Sequence, residues 1–272
     1  MGLGALKSAW QRQTKDLGHD RSEKYSVLVF DNRGIGKSDK PWGRYSTSEM
    51  AKDVIELCDH VGWTGERELH VCGVSMGGMI AQEMAYLIPK RIASLLLVST
   101  AARLVNTIGF VENLRNRINM FIPRDMDKQI EDVKWRLFGP EWLVEPDADG
   151  EFPTNGDRFA AQEVHKRLDT VAFTRKGFML QAIAAGWHHK SPEQLAEVAD
   201  SVGRERILVM HGMLDNMITF PHAEVLVREL GGIEQGVTRV TYAKSGHVLM
   251  LEQRKDLLIH INNMVDKVNR LK

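Results

Sequence analysis

Short apolar runs alternate with longer stretches of helical periodicity along this chain. Val27–Phe30 is a β-branched and aromatic run closed by Asp-Asn-Arg-Gly, and it reads as a buried strand. Leu69–Cys72, Ile92–Val98, Ile207–Met210 and Val237–Tyr242 repeat the signature, which predicts four further strands. Between the first two, Ser46 and Glu49 stand at capping-box spacing. Met50, Val54, Leu57, Cys58 and Val61 then recur on one helical face, and Gly62 suits the stop. A second helix is predicted over Gly77–Ile88, ended by Pro89; others cover Pro221–Leu230 and Asp256–Val268. Strands without internal polar alternation, separated by helices, predict an α/β fold: a mostly parallel sheet covered by helices on both faces.

One interval departs from this rhythm. From about Ala102 to Ala199 no convincing strand is found, and the stretch is rich in Trp, Phe and Met. It is expected to be a helical cap, residues 102–199, inserted between two parts of the core, residues 1–101 and 200–272. Its Met120, Phe121, Met126, Trp135, Phe138, Trp142, Phe173, Phe178, Met179 and Trp187 fit a small core of its own. Some of them are expected to roof a pocket. The loop Pro146-Asp-Ala-Asp-Gly150 lacks calcium-loop spacing.

Composition narrows the function classes. The 272 residues are 43% hydrophobic and 26% charged, with 36 basic and 36 acidic side chains. That balance removes the electrostatic case for nucleic-acid binding. Cys58 and Cys72 are too few to staple a chain this long and are expected to be buried free thiols. No apolar run reaches the roughly 18 residues of a membrane span, and the first residues lack signal-peptide and myristoylation patterns. A cytoplasmic location is the expectation; oligomeric state is left open.

Chemistry concentrates at Gly73-Val74-Ser75-Met76-Gly77, a G-x-S-x-G pattern between a predicted strand and a predicted helix. A sharp strand-to-helix turn lifts the Ser75 hydroxyl into the open, and the flanking glycines let backbone pass without a Cβ clash. The amide of Met76, opening the helix, points where an oxyanion would form. Serine needs a base and an orienting carboxylate. Asp215 follows the strand Ile207–Met210 and His247 follows the strand ending at Tyr242, both at strand carboxyl ends where parallel sheets place their sites. The strand Ile92–Val98 is followed by Ser-Thr-Ala-Ala, which offers no competing acid.

Together Asp31-Asn-Arg-Gly-Ile-Gly-Lys-Ser-Asp39, Gly73-Val-Ser-Met-Gly-Gly78, His211-Gly-Met-Leu-Asp215 and Ser245-Gly-His247 resemble the α/β-hydrolase superfamily. Within it the chain is similar to the capped esterase, lactonase and carbon–carbon hydrolase group. The resemblance implies Ser75 as nucleophile, Asp215 as orienting acid and His247 as base. It also argues against dehalogenases and epoxide hydrolases, which carry Asp where Ser75 stands. The front of the chain departs from that pattern. Gly2-Leu3-Gly4-Ala5 looks like the tail of the family's His-Gly loop, with Met1 in the His position, which makes Leu3 the second oxyanion donor. The family's first strands, one of them central, have no counterpart here. The resemblance therefore implies an unfilled position beside the strand leading to Ser75, unless the sheet closes up or a partner chain supplies a strand.

Other signals are weaker. Gly36-Lys37-Ser38 fails as a phosphate loop because Asp31 stands where a glycine is required. His188-His189 reads as surface or pocket rim, His211 as structural, and no metal or cofactor is expected. The leading expectation is a serine hydrolase acting on a small, mostly apolar acyl or aromatic substrate through an acyl-enzyme. The alternative is a ligand-binding or receptor-like homologue, or a truncated inactive form, with little turnover.

Overall fold

The computed structural model describes residues 1–105, 125–147 and 149–271. Four parallel strands form one sheet in the order β1 (Leu69–Val74), β2 (Ile92–Val98), β3 (Ile207–Gly212), β4 (Thr238–Tyr242). The register aligns Gly73 with Leu97, Leu97 with Val209, and Met210 with Val240. These are the predicted strands with ends moved by one or two residues. Each β1–β2–β3–β4 step needs a crossover, and helices supply it. α1 (Thr47–His60) precedes β1; the crossovers carry α2 (Met76–Leu87), α3 (Met126–Leu137), α4 (Pro140–Val144), α5 (Asn155–Leu168), α6 (Arg175–Gly186), α7 (Pro192–Val202) and α8 (Pro221–Glu229); α9 (Leu249–Glu252) and α10 (Arg254–Asn269) follow β4. Helices α3 to α7 lie between β2 and β3, and among the described residues of that interval no strand joins the sheet.

Two apolar layers hold the sheet. Leu95, Leu97, Ile207 and Val209 pack against α1, α2, α7 and α8 through Met50, Met84, Leu195 and Leu226. The alternate residues Leu96, Val98, Leu208 and Met210 face Leu249, Leu257 and Met264 of α9 and α10. That alternation is the two-residue period of a strand buried on both faces. At α1 the Ser46 hydroxyl accepts from the Glu49 amide at 3.1 Å, the predicted cap.

The predicted strand Val27–Phe30 is not a strand. It has no ladder partner, Val27 is exposed, and Leu28, Val29 and Phe30 are only half-buried. A cavity of about 500 Å³ lies between this segment and β1. Val54 and Met84 line it from one layer, Leu17 and Val265 from the other. The sheet therefore does not close up beside β1, and Val27–Phe30 has nothing to pair with. Cys72 of β1 faces this cavity and is half-buried, unlike the buried Cys58.

Candidate active site

Ser75 sits between β1 and α2 with φ 57° and ψ −123°, a left-handed conformation that is costly for a residue with a Cβ. Its surroundings leave no freedom. Its amide donates to the Val98 carbonyl at 2.9 Å, and its carbonyl accepts from the Gly78 amide at 2.9 Å and the Thr100 hydroxyl at 2.7 Å. A Cβ on Gly73 would stand 2.3 Å from the Gly77 carbonyl oxygen, and one on Gly78 2.6 Å from Thr100. Both glycines are required by close packing rather than by φ. The turn holds a serine side chain at the amino end of α2, where the Met76 and Gly77 amides have no intrahelical acceptor.

The second predicted oxyanion donor lies on the loop passing over Ser75. A Cβ on Gly2 would come within 3.1 Å of the Ser75 Cβ. The next amide but one, that of Gly4, donates to Gln181 Oε1 at 3.0 Å, while Gln181 Nε2 donates to the Arg33 carbonyl at 2.9 Å. Gln181, wholly buried on α6, thus ties this loop to the Arg33 turn. Asp31 grips the loop's far end by accepting from the Lys7 amide at 2.7 Å, and it also accepts from the Lys37 amide at 3.2 Å. Leu3 lies just ahead of both anchors, between Gly2 and the tied Gly4, its amide bonded to nothing among the described residues. Phe173 and Phe178 close over Gly4.

Asp215 and His247 meet beyond the ends of β3 and β4. His247 Nδ1 and Asp215 Oδ2 are 2.7 Å apart. The other carboxylate oxygen accepts from the Met217 and Ile218 amides, both at 2.8 Å. His211 Nε2 lies 3.1 Å from Asp215 Oδ2 and 2.7 Å from the Ile218 carbonyl. Burial pushes the Asp215 carboxyl up, but the charges and hydrogen bonds of His247 and His211 outweigh it and bring it to about 2. Asp215 is therefore a carboxylate at neutral pH, fixed by four donors. His247 is held from the insertion side: its amide donates to the Leu137 carbonyl at 2.7 Å, and Glu252 accepts from both Gly246 and Gly139 at 3.0 Å. Ser75 and His247 are both buried, and they are not hydrogen-bonded to each other in this structure.

The remaining predicted positions divide. His211, expected from the sequence to be structural, is buried against the Ile218 carbonyl and Asp215. His188 is not at a surface or rim: it is buried, with Nδ1 2.9 Å from the Thr47 hydroxyl, beside a buried Lys190–Glu83 pair at 2.6 Å. Burial and the neighbouring Lys190 push its ring down to about 3. His189 alone is exposed. Trp135 and Trp187 point outward, while Phe138 is buried and stacks on Trp142. Met120 and Phe121 lie outside the described residues. Among the described residues no group of three His, Cys, Asp or Glu could hold a metal ion, and no helix is long and apolar enough to cross a membrane. Gln181, Asp31 and Glu252 escaped sequence reasoning as site residues; only Asp31, inside a quoted motif, carried any signal.

The α/β hydrolase fold family matches residues 2–253. The chain belongs to that family. It is 35% identical to 3-oxoadipate enol-lactonase 2 of Acinetobacter baylyi over 141 residues, 52% of this chain and 49% of that protein. It is 28% identical to the putative carbamate hydrolase RutD of Azorhizobium caulinodans, over 53% of this chain and 51% of that protein. The chain spans about half the length of these curated relatives. Among solved structures it is similar to a thermophilic esterase from Thermogutta terrifontis, with TM-score 0.72, 22% identity, and coverage of 98% of this chain and 88% of the other. The enol-lactonase from Burkholderia xenovorans LB400 gives TM-score 0.70 at 21% identity, covering 97% and 88%. At these identities the structural likeness establishes the fold.

Proposed function

We propose that the protein is a serine hydrolase cleaving a small, mostly apolar carboxylic ester or lactone. The observation that carries the proposal is the Asp215–His247 hydrogen bond of 2.7 Å, formed beyond the carboxyl ends of the strands, the end of the sheet at which the strained Ser75 turn also stands. In this reading His247 Nε2 takes the Ser75 proton as Ser75 Oγ attacks the carbonyl carbon. Asp215 fixes the tautomer that leaves Nε2 free and stabilises the imidazolium. The amides of Met76 and Leu3 receive the oxyanion. His247 then protonates the leaving alkoxide, and water, deprotonated by the same ring, releases the acyl group. For a lactone the alcohol so formed stays tethered to the acyl chain, and the second step releases the two together as one hydroxy acid. The relatives named for enol-lactone hydrolysis favour that substrate class, and Phe173 and Phe178 beside Gly4 favour an apolar acyl or aromatic group. The helical insertion, in this reading, is the cap over the pocket.

A ligand-binding protein on the same scaffold is the competing reading, favoured by the unformed Ser75–His247 bond. Such bonds often tighten only with substrate. Turnover of a p-nitrophenyl ester and a γ-lactone, with fluorophosphonate labelling, separates the two. The hydrolase reading expects labelling at Ser75 and at least about a thousandfold loss of turnover in Ser75→Ala. Labelling elsewhere, or turnover unaffected by Ser75→Ala, overturns it.

A further inference from the structure

Helix α6 has two unlike faces. Gly177, Gln181 and Ala184 turn inward and are buried, with Phe178 beside Gly4 on the same side. Met179 and Ile183, one turn apart, point outward and are exposed, and Trp187 continues their line just past the helix end, 72% exposed. The loop after Asp31 runs alongside, its Gly36 amide donating to the Ala172 carbonyl at 2.7 Å. Trp42 of that loop is 87% exposed. The Lys176 ammonium stands 3.7 Å from the centre of the Trp42 ring and donates to the Lys40 carbonyl at 3.0 Å. The Arg44 guanidinium stands 4.7 Å from the centre of the Trp187 ring. One outward face thus carries two exposed tryptophans, each with a cation laid against it, and an apolar step on the helix beside them.

The charge on this face is one-sided. Residues 37–44 and 175–187 hold Lys37, Lys40, Arg44, Arg175 and Lys176 against a single acid, Asp39. None of these cations pairs with a carboxylate among the described residues: Lys40 donates to the Gly36 and Ser38 carbonyls, and Lys176 and Arg44 rest on indole rings. The whole chain has equal numbers of basic and acidic side chains, so the excess is local. We propose that this face docks the protein on an anionic lipid surface, with α6 lying in the plane of the headgroups. Indole rings settle at headgroup depth, and Met179 and Ile183 would reach the acyl boundary. The stems of Lys176 and Arg44 run along the rings and carry their charges to lipid phosphates. Shape separates this occupant from a folded protein. The outward side of one helix is convex and offers no pocket for an anchoring side chain, whereas a fluid headgroup layer conforms to it. A nucleic acid would satisfy the cations and leave Met179 and Ile183 in water.

The docking face backs onto the loop over Ser75. Through Gln181 the inner side of α6 holds the Gly4 amide and the Arg33 carbonyl, while its outer side would rest on lipid. An apolar ester dissolved in the bilayer would then be presented close to the Gly4 loop. This consequence rests on the hydrolase reading; docking to lipid does not.

The test is sedimentation of the whole chain with vesicles of equal parts phosphatidylglycerol and phosphatidylcholine, beside vesicles of phosphatidylcholine alone, at about 0.1 M salt. Binding to the anionic vesicles should be at least about tenfold the stronger, with tryptophan emission shifted to the blue. Each cation near such a surface is worth about fivefold, so Arg175→Glu with Lys176→Glu should weaken binding by more than about twenty-five-fold. Arg239→Glu with Lys255→Glu makes the same change of net charge at exposed cations of β4 and α10, and should weaken binding by less than about threefold. Trp42→Ala with Trp187→Ala should weaken it about tenfold and remove the blue shift. If the first reversal does not fold, Arg175→Gln with Lys176→Gln replaces it, with a loss of about twenty-five-fold expected. No binding to anionic vesicles, equal losses from the two charge reversals, or binding untouched by the tryptophan changes overturns the proposal. So does polyglutamate or duplex DNA held more tightly than the vesicles and lost in the same variants, since the face would then serve another kind of partner. None of these readouts needs turnover, so a catalytically inert chain leaves them decisive.

Discussion

Replacing Ser75 by glycine should stabilise the protein while abolishing its chemistry. The φ of 57° and ψ of −123° place Ser75 in the region of the first central residue of a type II′ turn, which glycine dominates. Holding a residue with a Cβ there costs about 1–3 kcal/mol. Glycine removes that cost but adds about 0.4–1 kcal/mol of chain entropy to the unfolded state. The balance favours Ser75→Gly over Ser75→Ala, which keeps the strain, by about 1–2 kcal/mol. At about 2.1 cal/mol/K per residue, a chain of 272 residues has an unfolding entropy worth about 2 °C per kcal/mol. Calorimetry at pH 7 should therefore put the glycine variant about 2–4 °C above the alanine variant, neither binding a fluorophosphonate probe. A glycine variant melting at or below the alanine variant would refute the argument, because the backbone would then carry no strain for glycine to release.

Three further outcomes are expected. Gln181→Leu strips the Gly4 amide and the Arg33 carbonyl of their partner and frees the loop over Ser75; kcat should fall about a hundredfold with KM little changed, and a drop confined to KM would count against it. Asp215, near 2 in the folded state against an ordinary value of 3.8, contributes stability that is complete above about pH 4 and lost as pH falls through 2. Denaturant midpoints should therefore fall less steeply over that window in Asp215→Asn. Lys190→Met leaves Glu83 buried without its cation and should cost about 3–5 kcal/mol, with most of it recovered on adding Glu83→Leu; additive losses would contradict the pairing.

What the sequence revealed and what it hid follow from how far each feature depends on distant residues. The Ser75 turn is local: a strand, two tightly packed glycines and a helix within a dozen positions. Asp215 and His247 were legible because a parallel sheet places loops at its carboxyl ends, and apolar runs mark where those ends fall. Val27–Phe30 has the same composition as the true strands, and it fails as one because pairing is a property of two segments. His188 was misjudged for a similar reason. The first histidine of a doublet on an exposed-looking connection is buried where Lys190 returns to Glu83 on α2. Gln181 gave no signal, since a single glutamine in an apolar helical pattern looks like an ordinary polar interruption.

These hidden contacts share one direction. The loop carrying Leu3 is bound by Gln181 of α6. The loop carrying His247 is bound by the Leu137 carbonyl at the end of α3, and Glu252 bridges Gly246 to Gly139 just beyond it. A Cβ on Gly139 would lie 2.1 Å from the Lys244 carbonyl oxygen, and one on Gly246 2.7 Å from that of Leu137, so the two backbones touch. Burial lifts the Glu252 carboxyl to about 6 against the pull of those two amides. The carboxylate is therefore retained in a half-buried place by the contact it makes. Strand ends supply Ser75, Asp215 and His247, while helices between β2 and β3 hold the loop of His247 and the loop of Leu3. Loosening those contacts is therefore expected to disturb the proposed site without touching Ser75, Asp215 or His247.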